Sequence, residues 1–110
     1  MEFTATECGF KDGFGGASNA SSAKDYHYVL FGRQTGEQHS EFDGVYFEFD
    51  DQINGSVNCV RRVEIQNGVV EFALKDGRKI VVLREMGDAR WSSFLRAIRD
   101  TFGREIIEQA

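Results

Sequence analysis

Three dipeptides, Asn54-Gly55, Asn67-Gly68 and Asp76-Gly77, separate runs of aromatic and β-branched residues, and they constrain the fold more than any other feature of the chain. Asn-Gly and Asp-Gly supply the positive φ angles that tight hairpin turns need. The runs they separate are "GVYFEFD" (44–50), "VNCVRRVEI" (57–65), "VVEFALK" (69–75) and "RKIVVLRE" (78–85). This pattern predicts four consecutive strands in an antiparallel meander. No proline interrupts them, so each is compatible with a central position as well as an edge.

Two further strands are expected upstream. "EFTATECGF" (2–10) alternates weakly, and "YHYVLFGR" (26–33) is rich enough in aromatic and β-branched residues to read as a strand buried on both faces. Between them "DGFGGASNASSAKD" (12–25) has no apolar period and reads as a loop, and "QTGEQHSEFD" (34–43) as a polar connection.

After Gly87 the period changes. In "GDARWSSFLRAIRDTF" the apolar residues Trp91, Phe94, Leu95, Ile98 and Phe102 recur at spacings of three and four, which predicts an amphipathic helix. Asp88 reads as its N-cap, and Gly103 either ends it or sits inside a longer helix at a cost of about 1 kcal/mol. The apolar stripe must be covered, and the sheet is the nearest cover. The expected fold is α+β: a single domain over 1–110, with a twisted antiparallel sheet of about six strands and a C-terminal amphipathic helix packed on one face. The other face would meet water unless the sheet curls into a partial barrel. Trp91 is expected to be a core anchor.

A chain of 110 residues can bury roughly two-thirds of its unfolded surface without disulfide staples. Its two cysteines, Cys8 and Cys59, read as free thiols of a reducing compartment, and no secretory signal or apolar span is visible, so a cytoplasmic location is expected. The net charge of -5 is unevenly spread: residues 1–60 hold ten acids against three bases, and residues 61–110 eight against ten. Six carboxylates, Glu37, Glu41, Asp43, Glu48, Asp50 and Asp51, follow one another without a lysine or arginine between them. Such a surface repels nucleic acid and anionic membrane and favours a basic partner.

Catalytic and metal chemistry finds little support. Asp50, Gln52, Asn54 and Gly55 open like a calcium loop, but Arg61 stands where a bidentate glutamate is required. Cys8, His27, His39 and Cys59 are scattered singly, without the paired spacing of zinc sites. "GFGG" (13–16) lacks the phosphate-loop pattern. Glu48 and Asp50 stand roughly 7 Å apart on one strand face, a spacing shared by any i, i+2 pair. No enzyme activity, cofactor or metal is therefore expected. A binding role remains: with Val45, Phe47 and Phe49 toward the core, Tyr46, Glu48 and Asp50 face outward, with Glu41, Asp43 and Asp51 near the strand ends. An exposed tyrosine ringed by carboxylates suits docking of a basic surface, and a solvated, solubilising face is the plain alternative.

"YVLFGRQ", "DGVYFEFDDQ", the hairpins and the short helix together resemble the family catalogued as immunity protein 10 of bacterial polymorphic toxin systems. The resemblance runs from "MEFTA" through the meander and is carried by Arg33 and Gln34, by Asp43, Gly44, Tyr46 and Glu48, and by Asp51 and Gln52. It departs after Asn54, where "SVNCVRRVEI" stands in place of a glycine-rich stretch. The resemblance implies a small cytosolic protein that neutralises a cognate toxin by binding and without catalysis, the toxin being basic if it is a nuclease. The partner-binding set is then Glu41, Asp43, Tyr46, Glu48, Asp50 and Asp51, acting as a monomer or homodimer. A meander closed by a tryptophan-bearing helix also looks like a pleckstrin-homology-type lipid- or peptide-binding module, for which Arg61, Arg62, Lys75, Arg78 and Lys79 are the candidate lipid contacts. A structural homodimer formed through a sheet edge is a third reading.

Overall fold

The computed structural model describes residues 1–11, 14–19, 25–34 and 44–109. Its elements run β1 (Glu2–Ala5), β2 (Glu7–Lys11), β3 (Phe14–Ser18), β4 (Tyr28–Gln34), β5 (Gly44–Phe49), β6 (Asp51–Val57), β7 (Val60–Gln66), β8 (Val69–Leu74), β9 (Lys79–Arg84) and α1 (Asp88–Thr101), then a 3₁₀ turn (Arg104–Ile106) and β10 (Ile107–Gln109). The fold is α+β, as expected, but the strands form two five-stranded sheets, ordered β1-β9-β8-β7-β10 and β2-β3-β4-β5-β6. Within them the pairing is antiparallel except at two edges, where β1 lies parallel to β9 and β10 parallel to β7.

The expected four-strand meander is corrected: β7, β8 and β9 form a consecutive antiparallel run in the first sheet, whereas β5 pairs with β4 and β6 in the second, which packs over the first. The N-terminal run bends at Thr6: the amide of Glu85, just past β9 of the first sheet, donates to the Ala5 carbonyl, and Thr6 donates its own amide to the Ser18 carbonyl in the second. One weakly patterned stretch thereby supplies an edge strand to each sheet. At the other corner the chain passes from β6 to β7 through Asn58, which takes the left-handed conformation at φ 57°.

Between the sheets lies an aromatic core. Phe47 of β5 meets Phe72 of β8 at 4.9 Å between ring centroids. Phe31 of β4 touches Phe72, the helix residue Phe94 and Phe102, which caps the helix C-terminus. Helix α1 buries Trp91, Phe94 and Ile98, three of the residues its period selected, and Trp91 is the expected core anchor at 5% exposure. The N-cap assignment is corrected: Gly87 occupies that position, and Asp88 is the first helical residue, ion-paired with Arg84. The helix ends before Gly103, and the tail turns back as a strand on β7 rather than extending the helix.

Two turn assignments also change. Asn67-Gly68 and Asp76-Gly77 do close the last two hairpins, with Gly68 and Gly77 at positive φ. Asn54-Gly55 does not: it lies inside β6, in a wide irregularity of the β5–β6 pairing. The tight turn is at Asp50, at φ 63°. In the stretch expected to be a loop, Phe14–Ser18 is a strand hydrogen-bonded on both sides.

Candidate functional site

In the second sheet, Ala17, Val29, Phe31, Phe47 and Phe49 point at the first sheet and are buried there. Successive residues alternate faces, so Phe14, Gly16, Ser18, Tyr28, Leu30, Gly32, Tyr46 and Glu48 lie on the other, outer face. The register sets these in rows across the strands. Gly9, Gly16, Leu30 and Glu48 form one; Glu7, Ser18 and Tyr28 flank it on one side, and Lys11, Phe14, Gly32 and Tyr46 on the other.

The middle row makes a groove because its first two members have no side chains. Gly16 is required there, since a Cβ would collide with the carbonyl oxygen of Val29 on the adjacent strand. A Cβ at Gly9 would project into open space. The resulting depression has a volume of about 440 Å³, and its lining includes Glu7, Phe14, Tyr26, Tyr28 and Leu30. Tyr26 lies beside Tyr28, the rings tilted at 5.7 Å between centroids, and is 51% exposed. On the opposite side Phe14 meets Tyr46 edge to face at 6.3 Å. They touch across Gly32, which places no side chain between them.

Beyond Leu30 in the same row stands Glu48, the single buried charged residue among the described ones, at 6% exposure. Tyr28 donates its hydroxyl to one carboxylate oxygen and Tyr46 donates to the other at 2.6 Å. The irregular part of β6 folds over this cluster, so that a Cβ on Gly55 would strike the Tyr46 hydroxyl. Burial first, and then the bond to Glu48, push the Tyr28 phenol well above its usual value. For Tyr46 the bond to Glu48 comes first and burial second, and the phenol is pushed up to about 12. Both phenols are thus fixed as proton donors to Glu48 at neutral pH. They are structural clasps rather than bases.

The expected partner-binding set is distributed unevenly. Tyr46 and Glu48 lie on the non-core face as predicted, but Glu48 is covered rather than solvated: alternation selects a face, and the tyrosines and the β6 irregularity then close over it. Asp50 is half-buried at the turn, accepting from the Tyr28 amide at 3.2 Å and sitting 2.8 Å from Nδ1 of His27. Asp51 is exposed, with Ile53, at 87% exposure, two residues on. Glu41 and Asp43 lie outside the described residues. Phe14 and Gly16 were missed because they fall in a stretch read as loop, Tyr26 and Tyr28 because theirs reads as a fully buried strand, and Gly9 because it lies in a weakly alternating strand and has no side chain to mark a face. The i, i+2 spacing of Tyr26 and Tyr28 was the available signal.

Other candidates have structural partners. The Cys8 thiol donates to the Arg90 carbonyl at 3.3 Å, and Cys59 to that of Ser56 at 3.7 Å. Burial raises both thiols above their usual range, which makes them poor nucleophiles. Of the five cations considered for lipid binding, Arg62 lies near Glu64 and Glu108, and Arg78 pairs with Asp76 while sitting over the Phe49 ring. No helix among the described residues is long and apolar enough to cross a membrane. No protein-family model, curated protein or solved structure matches the chain.

Proposed function

We propose that this chain is a non-catalytic cytoplasmic inhibitor that binds a basic bacterial toxin, as the resemblance to the immunity proteins of polymorphic toxin systems implies. One observation carries the reading. The sheet with an aromatic-walled groove on its outer face is built from residues 7–57, almost all of the half of the chain that holds ten acids against three bases. Aromatic area for contact and the exposed carboxylates of Glu7 and Asp51 therefore belong to one sheet, the combination that suits a cationic protein surface. Tyr26, Asp51 and Ile53 are its exposed contact residues, and Glu48 acts from beneath by holding Tyr28 and Tyr46 in place.

The test is co-expression with the C-terminal toxin domain encoded by the reading frame immediately upstream. Restored growth and a complex that co-elutes in size-exclusion chromatography are expected. Continued growth arrest with separate elution of the two proteins would reject the reading.

A further inference from the structure

We infer that the glycine-floored groove takes an arginine side chain presented by the partner protein, with its guanidinium stacked on Tyr26 and Tyr28 and facing Glu7. This rests on the binding reading above and names what one part of that surface recognises.

Three observations point to a flat cation. First, the floor is bare: Gly9 and Gly16 stand consecutively in one cross-strand row, so the depression runs across the strands between two lines of side chains. A planar group can lie in such a slot. Second, Tyr26 and Tyr28 both line the groove, their rings 5.7 Å apart between centroids and tilted by 33°. Tyr28 donates its hydroxyl to the Glu48 carboxylate, which leaves its ring richer in electrons than a free phenol and strengthens its attraction for a cation. Third, Glu7 is an exposed carboxylate at the margin of the groove, directly paired across strands with Ser18, and a guanidinium lying on the tyrosines can reach it. Glu48 sits behind Tyr28 and adds negative field without needing contact. Guanidinium is preferred over ammonium because it is planar, weakly hydrated and able to stack and hydrogen-bond together.

The groove offers a variant that separates blocking from unfolding. A Cβ at Gly9 meets nothing within 4 Å among the described residues, so Gly9→Leu is expected to project into the depression and keep the strand pairing. The probe is the peptide acetyl-Gly-Arg-Gly-amide, with the uncharged citrulline peptide as its isostere, titrated into the ¹⁵N-labelled chain by NMR. Amide shifts centred on Gly9, Gly16, Tyr26 and Leu30 are expected, with the arginine peptide at least about tenfold tighter than the citrulline one, or ~1.4 kcal/mol. Gly9→Leu should abolish these shifts while keeping the native spectrum elsewhere, and Glu7→Gln should weaken binding about threefold or more. Equal affinity for arginine and citrulline, or undiminished binding by Gly9→Leu, would overturn the inference.

The two proposals fail separately. A wild-type chain that binds the toxin, together with a Gly9→Leu variant that binds it equally well, removes the groove and leaves the inhibitor reading standing. Arginine-selective shifts in a chain that does not bind the toxin do the reverse.

Discussion

Tyr28 and Tyr46, on neighbouring strands, donate their hydroxyls to opposite oxygens of the same carboxylate, Glu48. The pair turns a buried acid into a strut between β4 and β5 and sets the orientation of the ring that flanks the groove. Removing the acceptor alone leaves two covered hydroxyls without their partner, which costs more than the net value of the bonds themselves. Glu48→Ala is expected to lose about 2 kcal/mol, seen as a fall of roughly 10 °C in Tm. Adding Tyr28→Phe and Tyr46→Phe to that variant should recover part of the loss, because no polar group then remains unsatisfied. A Glu48→Ala protein that melts with the wild type would show that the strut contributes nothing.

The same bonds predict how stability responds to alkali. In the folded chain Tyr46 keeps its proton until about pH 12, against a usual value of 10.0. Tyr28 is shifted in the same direction. Above pH 10 an unfolded chain has released protons that the folded chain still holds, so rising pH favours unfolding. The stabilisation is fully present below the usual tyrosine value and is lost as pH climbs from there through about 12. Urea midpoints measured between pH 8 and 12 should fall over the upper half of that range, and fall less steeply for Tyr46→Phe. Parallel profiles for the two proteins would sever the link to this phenol.

Much of this architecture is legible in residue order, and the rest is hidden for identifiable reasons. The alternation of Val45, Phe47 and Phe49 with Tyr46 and Glu48 assigns faces correctly, and the three- and four-residue spacing from Trp91 to Phe102 gives the helix and its buried side. Strand β3 is invisible to such patterns, since Gly15 and Gly16 have no side chains to alternate; main-chain bonds to β2 and β4 hold it. Asn54-Gly55 has the chemistry of a turn, yet Asp50 turns instead because its carboxylate is engaged by His27 and the Tyr28 amide, contacts from a distant strand. What lies over Glu48 is likewise a tertiary matter. Nothing within the run 44–50 specifies that a tyrosine from β4 and the irregular part of β6 will cover it.

Trp91 tests the packing of the helix against the sheets. It is 5% exposed and lies 5.4 Å from Phe94, which in turn meets Phe31 of the second sheet. Truncation would remove a large ring from a site that has no means of collapsing fully. Trp91→Ala is expected to cost about 3–5 kcal/mol in chemical denaturation. Unchanged stability would mean that the helix is not held by this residue.

Charge reversal separates residues that the sequence pattern places on one acidic face. Glu48 is enclosed and accepts from two hydroxyls, so a lysine there would bury an ammonium and force both hydroxyls to turn from donating to accepting. Glu48→Lys is expected to unfold the chain or lower its Tm by more than roughly 15 °C, and loss of partner binding in that variant would follow from the unfolding. Asp51 differs: its side chain is exposed and its carboxylate accepts from the Ile53 amide at 3.2 Å, at the end of the sheet. Asp51→Lys should therefore keep the wild-type Tm within about 2 °C and weaken association with a basic partner mainly through a slower on-rate, because an exposed charge acts on diffusional encounter more than on the docked complex. Stopped-flow association at low and high salt distinguishes these effects. The difference between wild type and Asp51→Lys should shrink as salt screens it, and a salt-independent difference would remove electrostatic steering from the mechanism.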